Sequence, residues 1–476
     1  MVVIGGMVAG WACVGGGGPA RHGRAVVFAS GADLQSMNPL FTVHPFARQV
    51  QKFVLLTTLA RYDATLTPQP YLARSWWWSS GRRTLTLRLF TRLRWADGRR
   101  TVARDVAWTL NAARDPVTGY PRLDDLASMV SVEDADDSTV VIRFAAPQQT
   151  FPDVLTDLAI LPAHLLAGVP HGQLRQAAWN EHPVGNGPFR FVLHEANRRW
   201  VFAADGAFPA ALGGPPLVDR FVVVVVDEPS TKLAALVAGE LDFAGIQPAH
   251  AAFVGRDPAL AVLDYPMLNP YGIVFNQRRP PFDDRRARLA VALAVNRREI
   301  VDGYLYGFGA AADGAVPPGV PGRVGVPPVP TDPDSARRLL GGRRVPFELL
   351  SVGSGEAALE QLLQAQLARA GFDVTIRQLE LSAYLGRVYG SRHEFQAAVL
   401  GIQGDPGLGY LRTLARIAGA SAPPDPRAAQ RILGDSVLIA FLYYARGVQG
   451  MNRRVSGVRM DLRGELATVT RWRVAP

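Results

Sequence analysis

The sharpest pattern along the chain has a period of two. Residues 84–89 read Thr84-Leu85-Thr86-Leu87-Arg88-Leu89, apolar at every second position. A strand with one face buried and one face wet has this signature. Residues 221–226 are apolar throughout, Phe221 followed only by valines, as expected of a strand covered on both faces. Residues 25–29, 138–144 and 374–379 are further short segments predicted as strands. A period near that of a helix is clearest at 356–370. There Leu359, Leu362, Leu363 and Leu367 share one face, and Gly371 ends the run. Helical signals also cover 46–55 and 231–238, the second stopped by Gly239.

Boundary residues sharpen these elements. Asp97-Gly98 predicts a tight turn. Thr101 is placed to cap a helix through Asp105, Val106 and Leu110, with Asp105 set against the positive end of the helix dipole. Asp284 caps another helix, Asn296 with Glu299 forms a capping-box pattern, and Asp332 precedes Pro333 at a first helical position. Pro-rich stretches at 317–330 and 422–426 read as surface connections. Strand and helix signals alternate irregularly with no solenoid repeat, so α/β lobes are expected.

The chain has 476 residues, enough for two or three domains, and its 48% hydrophobic and 19% charged content suits large cores. The formal net charge is +10, carried almost wholly by Arg; Lys occurs only at Lys52 and Lys232. The charge is scattered in short pairs such as Arg99-Arg100 and Arg453-Arg454. Without clustering, a solvated surface is the better reading and nucleic-acid binding is not expected.

Cys13 is the single cysteine, so neither an internal disulfide nor a cysteine zinc site can form. Residues 1–12 are apolar and small, too short to span a membrane as a stable helix. They read as a signal peptide, and Gly10-Trp11-Ala12-Cys13 resembles a bacterial lipoprotein cleavage box. Cys13 is therefore a candidate lipidation site, with plain secretion as the alternative. Residues 13–24, with Gly15 to Gly18 before Pro19, read as a tether. No later stretch reads as a transmembrane helix.

Signatures of catalysis are missing. There is no Gly-x-Ser-x-Gly elbow, phosphate loop or His-Glu-x-x-His pattern. The eight histidines are scattered without metal-ligand spacing. The acidic clusters Asp124-Asp125 and 133–137 read as solvated turns, and Trp76, Trp77 and Trp78 as packing residues. No catalytic residue, metal ligand or cofactor is assigned.

A series of motifs then occurs in order. Leu34 to Leu40 contains Asn38-Pro39-Leu40; Leu59-Ala60-Arg61-Tyr62-Asp63 and Pro70-Tyr71-Leu72-Ala73 follow. Next come Trp95-Ala96-Asp97-Gly98 with Thr101-Val102 and Asp105-Val106, then Pro183-Val184-Gly185-Asn186-Gly187-Pro188-Phe189. Gly239-Glu240-Leu241-Asp242, Phe275-Asn276, Pro281-Phe282-Asp283-Asp284-Arg285 and Ala294-Val295-Asn296-Arg297 complete it. In this order the chain resembles family 5 of the bacterial solute-binding proteins, the dipeptide- and oligopeptide-binding group, across roughly residues 30–470.

The resemblance implies a two-lobed, periplasmic-binding-protein-like α/β fold of type II. Lobe I would span 25–270 and carry an inserted subdomain at about 41–183. Lobe II would span 271–450, and 451–476 would return to lobe I. It implies an extracytoplasmic subunit of an ABC importer, at the periplasm or cell surface. Such a subunit closes on a peptide-like solute and delivers it to a permease and ATPase. It would be monomeric, and would touch the membrane only through a lipid anchor. It nominates Asn38, Asn186, Tyr271, Asn276, Gln403 and Asp405 as ligand-binding residues. Gly185 and Gly187 would let the backbone at Asn186 approach a partner closely. Asp405 would face the ligand's ammonium, with an ordinary Asp-Pro turn as the competing role. Two departures bear on the ligand. Ile402 stands near where relatives carry Trp, and the segment 414–432, which borders their cleft, is short here. The ligand class is left open among peptide, opine, sugar and metal chelate. A sensor or holdase, or a secreted hydrolase, remain the alternative functions.

Overall fold

The structure is a computed structural model that describes residues 24–353, 356–390, 392–421, 423 and 425–475. The signal segment, Cys13 and most of the tether lie outside the described residues.

The valine run forms the strand Arg220–Val225, which pairs in parallel with Ala25–Ser30 and antiparallel with Arg199–Ala204. Phe221 and Val223 are buried in one core cluster and Val222 in another, so both faces of the strand are covered. These strands belong to an eleven-stranded sheet. From one edge its order is Phe372–Leu379, Val345–Val352, Ala397–Gly401, Leu260–Phe275, Ile439–Asn452, Phe243–Gly245, Ala25–Ser30, Arg220–Val225, Arg199–Ala204 and Phe189–Glu195. Gly309–Ala311 pairs along Ile439–Asn452.

A second sheet is antiparallel and four-stranded, in the order Ala73–Trp78, Thr84–Leu89, Thr139–Phe144, Met129–Asp136. Here the period of two is realised: Leu85, Leu87 and Leu89 are buried and the residues between them are half-exposed. Of the three tryptophans, Trp76 packs on Phe151 and Trp78 on Phe144, at ring separations of 4.5 and 5.6 Å, while Trp77 is 51% exposed.

The chain makes two lobes, and the division is visible in its cores. Val26, Phe28, Phe221 and Phe243 pack with Trp472, at the far end of the sequence, in the first lobe. Ile273, Phe275, Phe282, Leu349 and Leu363 pack in the second. Two long strands, Leu260–Phe275 and Ile439–Asn452, run between them as an antiparallel pair. The first contributes Tyr265 to one core and Phe275 to the other. No helix among the described residues is long and apolar enough to cross a membrane.

Two helix starts differ from expectation. The helix Ala103–Arg114 is not capped by Thr101. Asp105 reaches back instead and accepts from Val102 N at 2.9 Å, and also from Trp95 Nε1 (3.1 Å) and Ala163 N (2.9 Å). A carboxylate with three donors outcompetes a hydroxyl, and it is buried at the price of those bonds. At Asn296 the cap bond to Glu299 N forms at 3.2 Å. The reciprocal bond is replaced, because Asn296 N donates to Gln366 Oε1 at 2.9 Å from another helix. Asp332 caps as expected, accepting from Ser335 N at 2.9 Å. Gly371 ends the helix Ala358–Arg369 with φ +101°, a conformation that excludes most side chains.

Candidate ligand-binding cleft

A cavity of about 390 Å³ lies between the lobes, at the small end of the range for ligand pockets. The helical segment from Pro45 to Phe53 forms one wall, the crossover strand from Tyr265 to Tyr271 the floor, and Gly401 to Pro406 the opposite wall. The far wall is stitched to the floor. Ile402 N donates to Pro270 O at 3.0 Å and Gly404 N to Leu268 O at 2.6 Å. The Tyr271 ring lies over Gly401, where a Cβ would sit 2.6 Å from its Cζ, and it stacks on Tyr443 at 4.6 Å.

The first-lobe wall is a charge cluster. Asp157 accepts from Arg48, from Lys52 Nζ at 2.9 Å and from Arg122 Nη1 at 2.9 Å. Arg122 also binds Asp153 at 2.8 Å and Asp125 at 2.6 Å, and Tyr62 Oη donates to Asp153 at 2.8 Å. Burial pushes the Asp157 carboxyl upward, but the three cations outweigh it and hold the group well below the usual range. Arg412 Nη2 reaches across from the second lobe to Asp125 at 3.1 Å.

Asp405 faces this cluster from the second lobe. Its oxygens accept from Gly409 N at 3.1 Å and Tyr410 N at 3.2 Å, at the start of the helix Tyr410–Ile417. The Asp-Pro turn role is thus fulfilled, yet the carboxylate keeps acceptor capacity toward the cavity it lines. Burial, then the like charge of Asp153, push its pKa up to about 6 against the pull of Arg122. Beside the floor, Glu465 accepts from Tyr265 Oη at 2.5 Å and Gln449 Nε2 at 3.2 Å, and burial pushes its carboxyl upward.

Of the nominated residues, Tyr271, Gln403 and Asp405 meet at the cavity. The three asparagines are elsewhere, with their side chains already engaged. Asn38 Nδ2 donates to Asn180 Oδ1 at 2.9 Å, and its Oδ1 accepts from Leu40 N at 3.0 Å. Asn186 Oδ1 accepts from Thr57 N at 2.9 Å, and its Nδ2 donates to Thr101 Oγ1 at 3.3 Å. Asn276 Nδ2 donates to His393 O at 2.8 Å and Phe395 O at 3.0 Å. The partner that Gly187 approaches is the chain's own backbone: a Cβ there would lie 2.5 Å from Val54 O. Sequence reasoning did not single out Arg48, Lys52, Arg122, Asp153 or Asp157. The one available signal was Lys52, one of two lysines, four residues after Arg48 on a helical segment. Among the described residues no cluster of His, Cys, Asp and Glu is arranged to hold a metal ion.

Comparison with known proteins agrees with this architecture. Residues 67–414 match the model for bacterial extracellular solute-binding proteins, family 5. A Brucella ovis protein named for ABC-transporter peptide binding is 31% identical over 355 residues, which cover 70% of this chain and 65% of that relative's length. Di/tripeptide-binding protein 2 of Pseudomonas aeruginosa is 28% identical, over 74% of this chain and 71% of its own. Among solved structures, the oligopeptide-binding protein AppA from Bacillus subtilis, in complex with a nonapeptide, superposes with a TM-score of 0.80 at 20% identity, covering 95% of this chain and 99% of its own. NikA from Brucella suis, in complex with Fe(III)-EDTA, gives 0.81 at 19% identity over 94% and 99%. With a family match over most of its length and the same two-lobed fold, the chain belongs to the bacterial extracellular solute-binding proteins, family 5.

Proposed function

We propose that the protein captures a short peptide between its lobes and hands it to the permease and ATPase of an ABC importer, without covalent chemistry. The observation that carries this reading is Asp405. It is a desolvated carboxylate on the cavity wall, pushed up to about 6 by burial and by Asp153. A ligand ammonium placed there relieves both causes at once. The names of the relatives, which refer to peptides, support the same class. Tyr271 and Gln403 line the cavity beside it and supply an aromatic face and a side-chain amide.

In this reading the lobes divide near residues 270 and 450, with the 41–183 segment as an inserted subdomain of lobe I. Ligand draws the lobes together, and the closed form is what the permease recognises. The protein acts as a monomer outside the cytoplasmic membrane. Residues 1–12 are removed and Cys13 is lipidated, which a Cys13→Ser variant tests: it should lose membrane association, and a wild type already free of the membrane would exclude the anchor.

Native mass spectrometry of purified protein should reveal a co-purified peptide. Calorimetry should then show that the alanine dipeptide or tripeptide binds at least about tenfold more tightly with a free amino group than N-acetylated. Equal affinity for both forms would remove Asp405 from the role of ammonium anchor.

A further inference from the structure

Arg61 lies in the strand Ala60–Tyr62 and lines the same cavity. Its neighbour Tyr62 is committed to Asp153. Arg61 is paired with no carboxylate among the described residues. Its Nη2 donates to the Lys52 carbonyl at 2.9 Å. Its guanidinium carbon sits 3.6 Å above the centre of the Tyr71 ring and 5.3 Å from that of Phe53. Its Nε is buried with no hydrogen-bond partner among the described residues. Burial lowers its pKa, the direction expected of a cation held away from water without a counter-charge.

The other cations of the cavity wall are all paired. Arg48 and Lys52 share Asp157. Arg122 has Asp153, Asp157 and Asp125, and Arg463 holds Asp461 at 2.7 Å. A cluster in which every other cation has its anion leaves Arg61 as the exception among the described residues. A buried guanidinium with an unmet donor is costly to keep. The guanidinium rests on the Tyr71 ring, and its planar fork suits a two-oxygen partner better than a single acceptor.

We propose that Arg61 is the ligand's carboxylate anchor, so that the cavity selects molecules with a free carboxylate. Taken with Asp405, and so resting on the peptide reading above, the ligand is a short zwitterion with both its ends free. Asp405 takes the amino end from the second lobe, and Arg61 takes the carboxyl end from the first. Each end then holds one lobe, and closure needs both.

The test uses the full-length protein and the alanine dipeptide and tripeptide, each as free acid and as C-terminal amide, in calorimetry. The wild type should bind an acid about ten- to a hundredfold more tightly than its amide, the size of a charge-assisted bond. In Arg61→Gln that ratio should fall to near one, because the acid loses more affinity than the amide. A merely structural role would weaken acid and amide alike. Arg61→Lys, which keeps the charge but loses the planar fork, should give an intermediate ratio, and it replaces the Gln variant if the latter does not fold. Equal affinity of the wild type for acid and amide overturns the proposal while leaving peptide binding intact. A preference for the acid that survives in either well-folded variant without any reduction also overturns it. Failure of the wild type to bind any of these probes overturns the peptide reading and this inference with it.

Discussion

Replacing Asp405 by Asn should make the empty protein more stable and a poorer binder. The folded-state pKa of about 6 lies above the ordinary value of 3.8. At about 1.36 kcal/mol per unit, keeping the group ionised at neutral pH costs the fold up to about 3 kcal/mol. Residual contact with solvent makes this an upper bound. The sign follows from the raised value. The cost is absent below the unfolded pKa, where both states are protonated, and fully present above about pH 6. Asn retains an oxygen for Gly409 N or Tyr410 N, so the helix start survives. Urea unfolding at pH 7.5 should therefore place the Asn variant above the wild type by about 1–3 kcal/mol, and the gap should close by pH 4. In calorimetry the variant should bind free-amine tripeptide about a hundredfold or more weakly, the loss expected on breaking a buried charge pair. A variant less stable than wild type at pH 7.5, or a gap that does not change with pH, would refute the electrostatic argument.

Three further outcomes are expected. Asp157→Asn strips the shared anion from Arg48, Lys52 and Arg122; unfolding should show a loss of about 3–5 kcal/mol, and a loss under 1 kcal/mol would mean the cations find other partners. Because the Asp157 carboxyl is held well below its usual range, that stabilisation is present above the unfolded pKa near 4 and is lost only as pH falls through the lower folded value. Gly187→Ala places a Cβ 2.5 Å from Val54 O and from the Leu55 carbonyl carbon, and should lower stability by about 3 kcal/mol or abolish soluble expression; an unperturbed melting curve would contradict the packing described. Arg412→Ala removes the bridge from the second lobe to Asp125, worth about 1 kcal/mol for a half-exposed pair, and should raise the radius of gyration of the empty protein in small-angle scattering; identical curves would show that this pair does not hold the lobes together.

Much of the fold could be read locally, because burial leaves a local trace. The alternation at 84–89 and the valine run at 221–226 both report how many faces a strand covers, and each forms the strand it predicts. What misled was competition between neighbours. Thr101 looks like a cap, yet Asp105 takes that role because it can also satisfy Trp95 and Ala163. At the site, a motif gives position in the family but not the direction in which a side chain points. Asp405 and Gln403 face the cavity, whereas Asn38, Asn186 and Asn276 spend their amides inside the fold. Arg61, Arg122 and the pair Asp153 and Asp157 come from three separate segments, so nothing linear in the sequence announces that they converge.

The crossover strands are paired with each other from Leu260↔Asn452 to Val274↔Ile439, with a wide register break between Pro266 and Pro270 and a second shift between Tyr271 and Gly272. Two independent tethers would let the lobes swivel about each other. A hydrogen-bonded ribbon resists that and flexes best where its ladder is interrupted, at residues without amide donors. The residues inside the break, Met267, Leu268 and Asn269, also line the cavity floor. The joint and the seat are therefore the same few residues. In the proposed role, a ligand resting there would act on the pivot directly, with no relay of side chains between binding and motion. On that proposal, stiffness of the joint and choice of cargo would not be tuned apart: a substitution that reshapes the floor for a new molecule would also reset the angle at which the two halves rest.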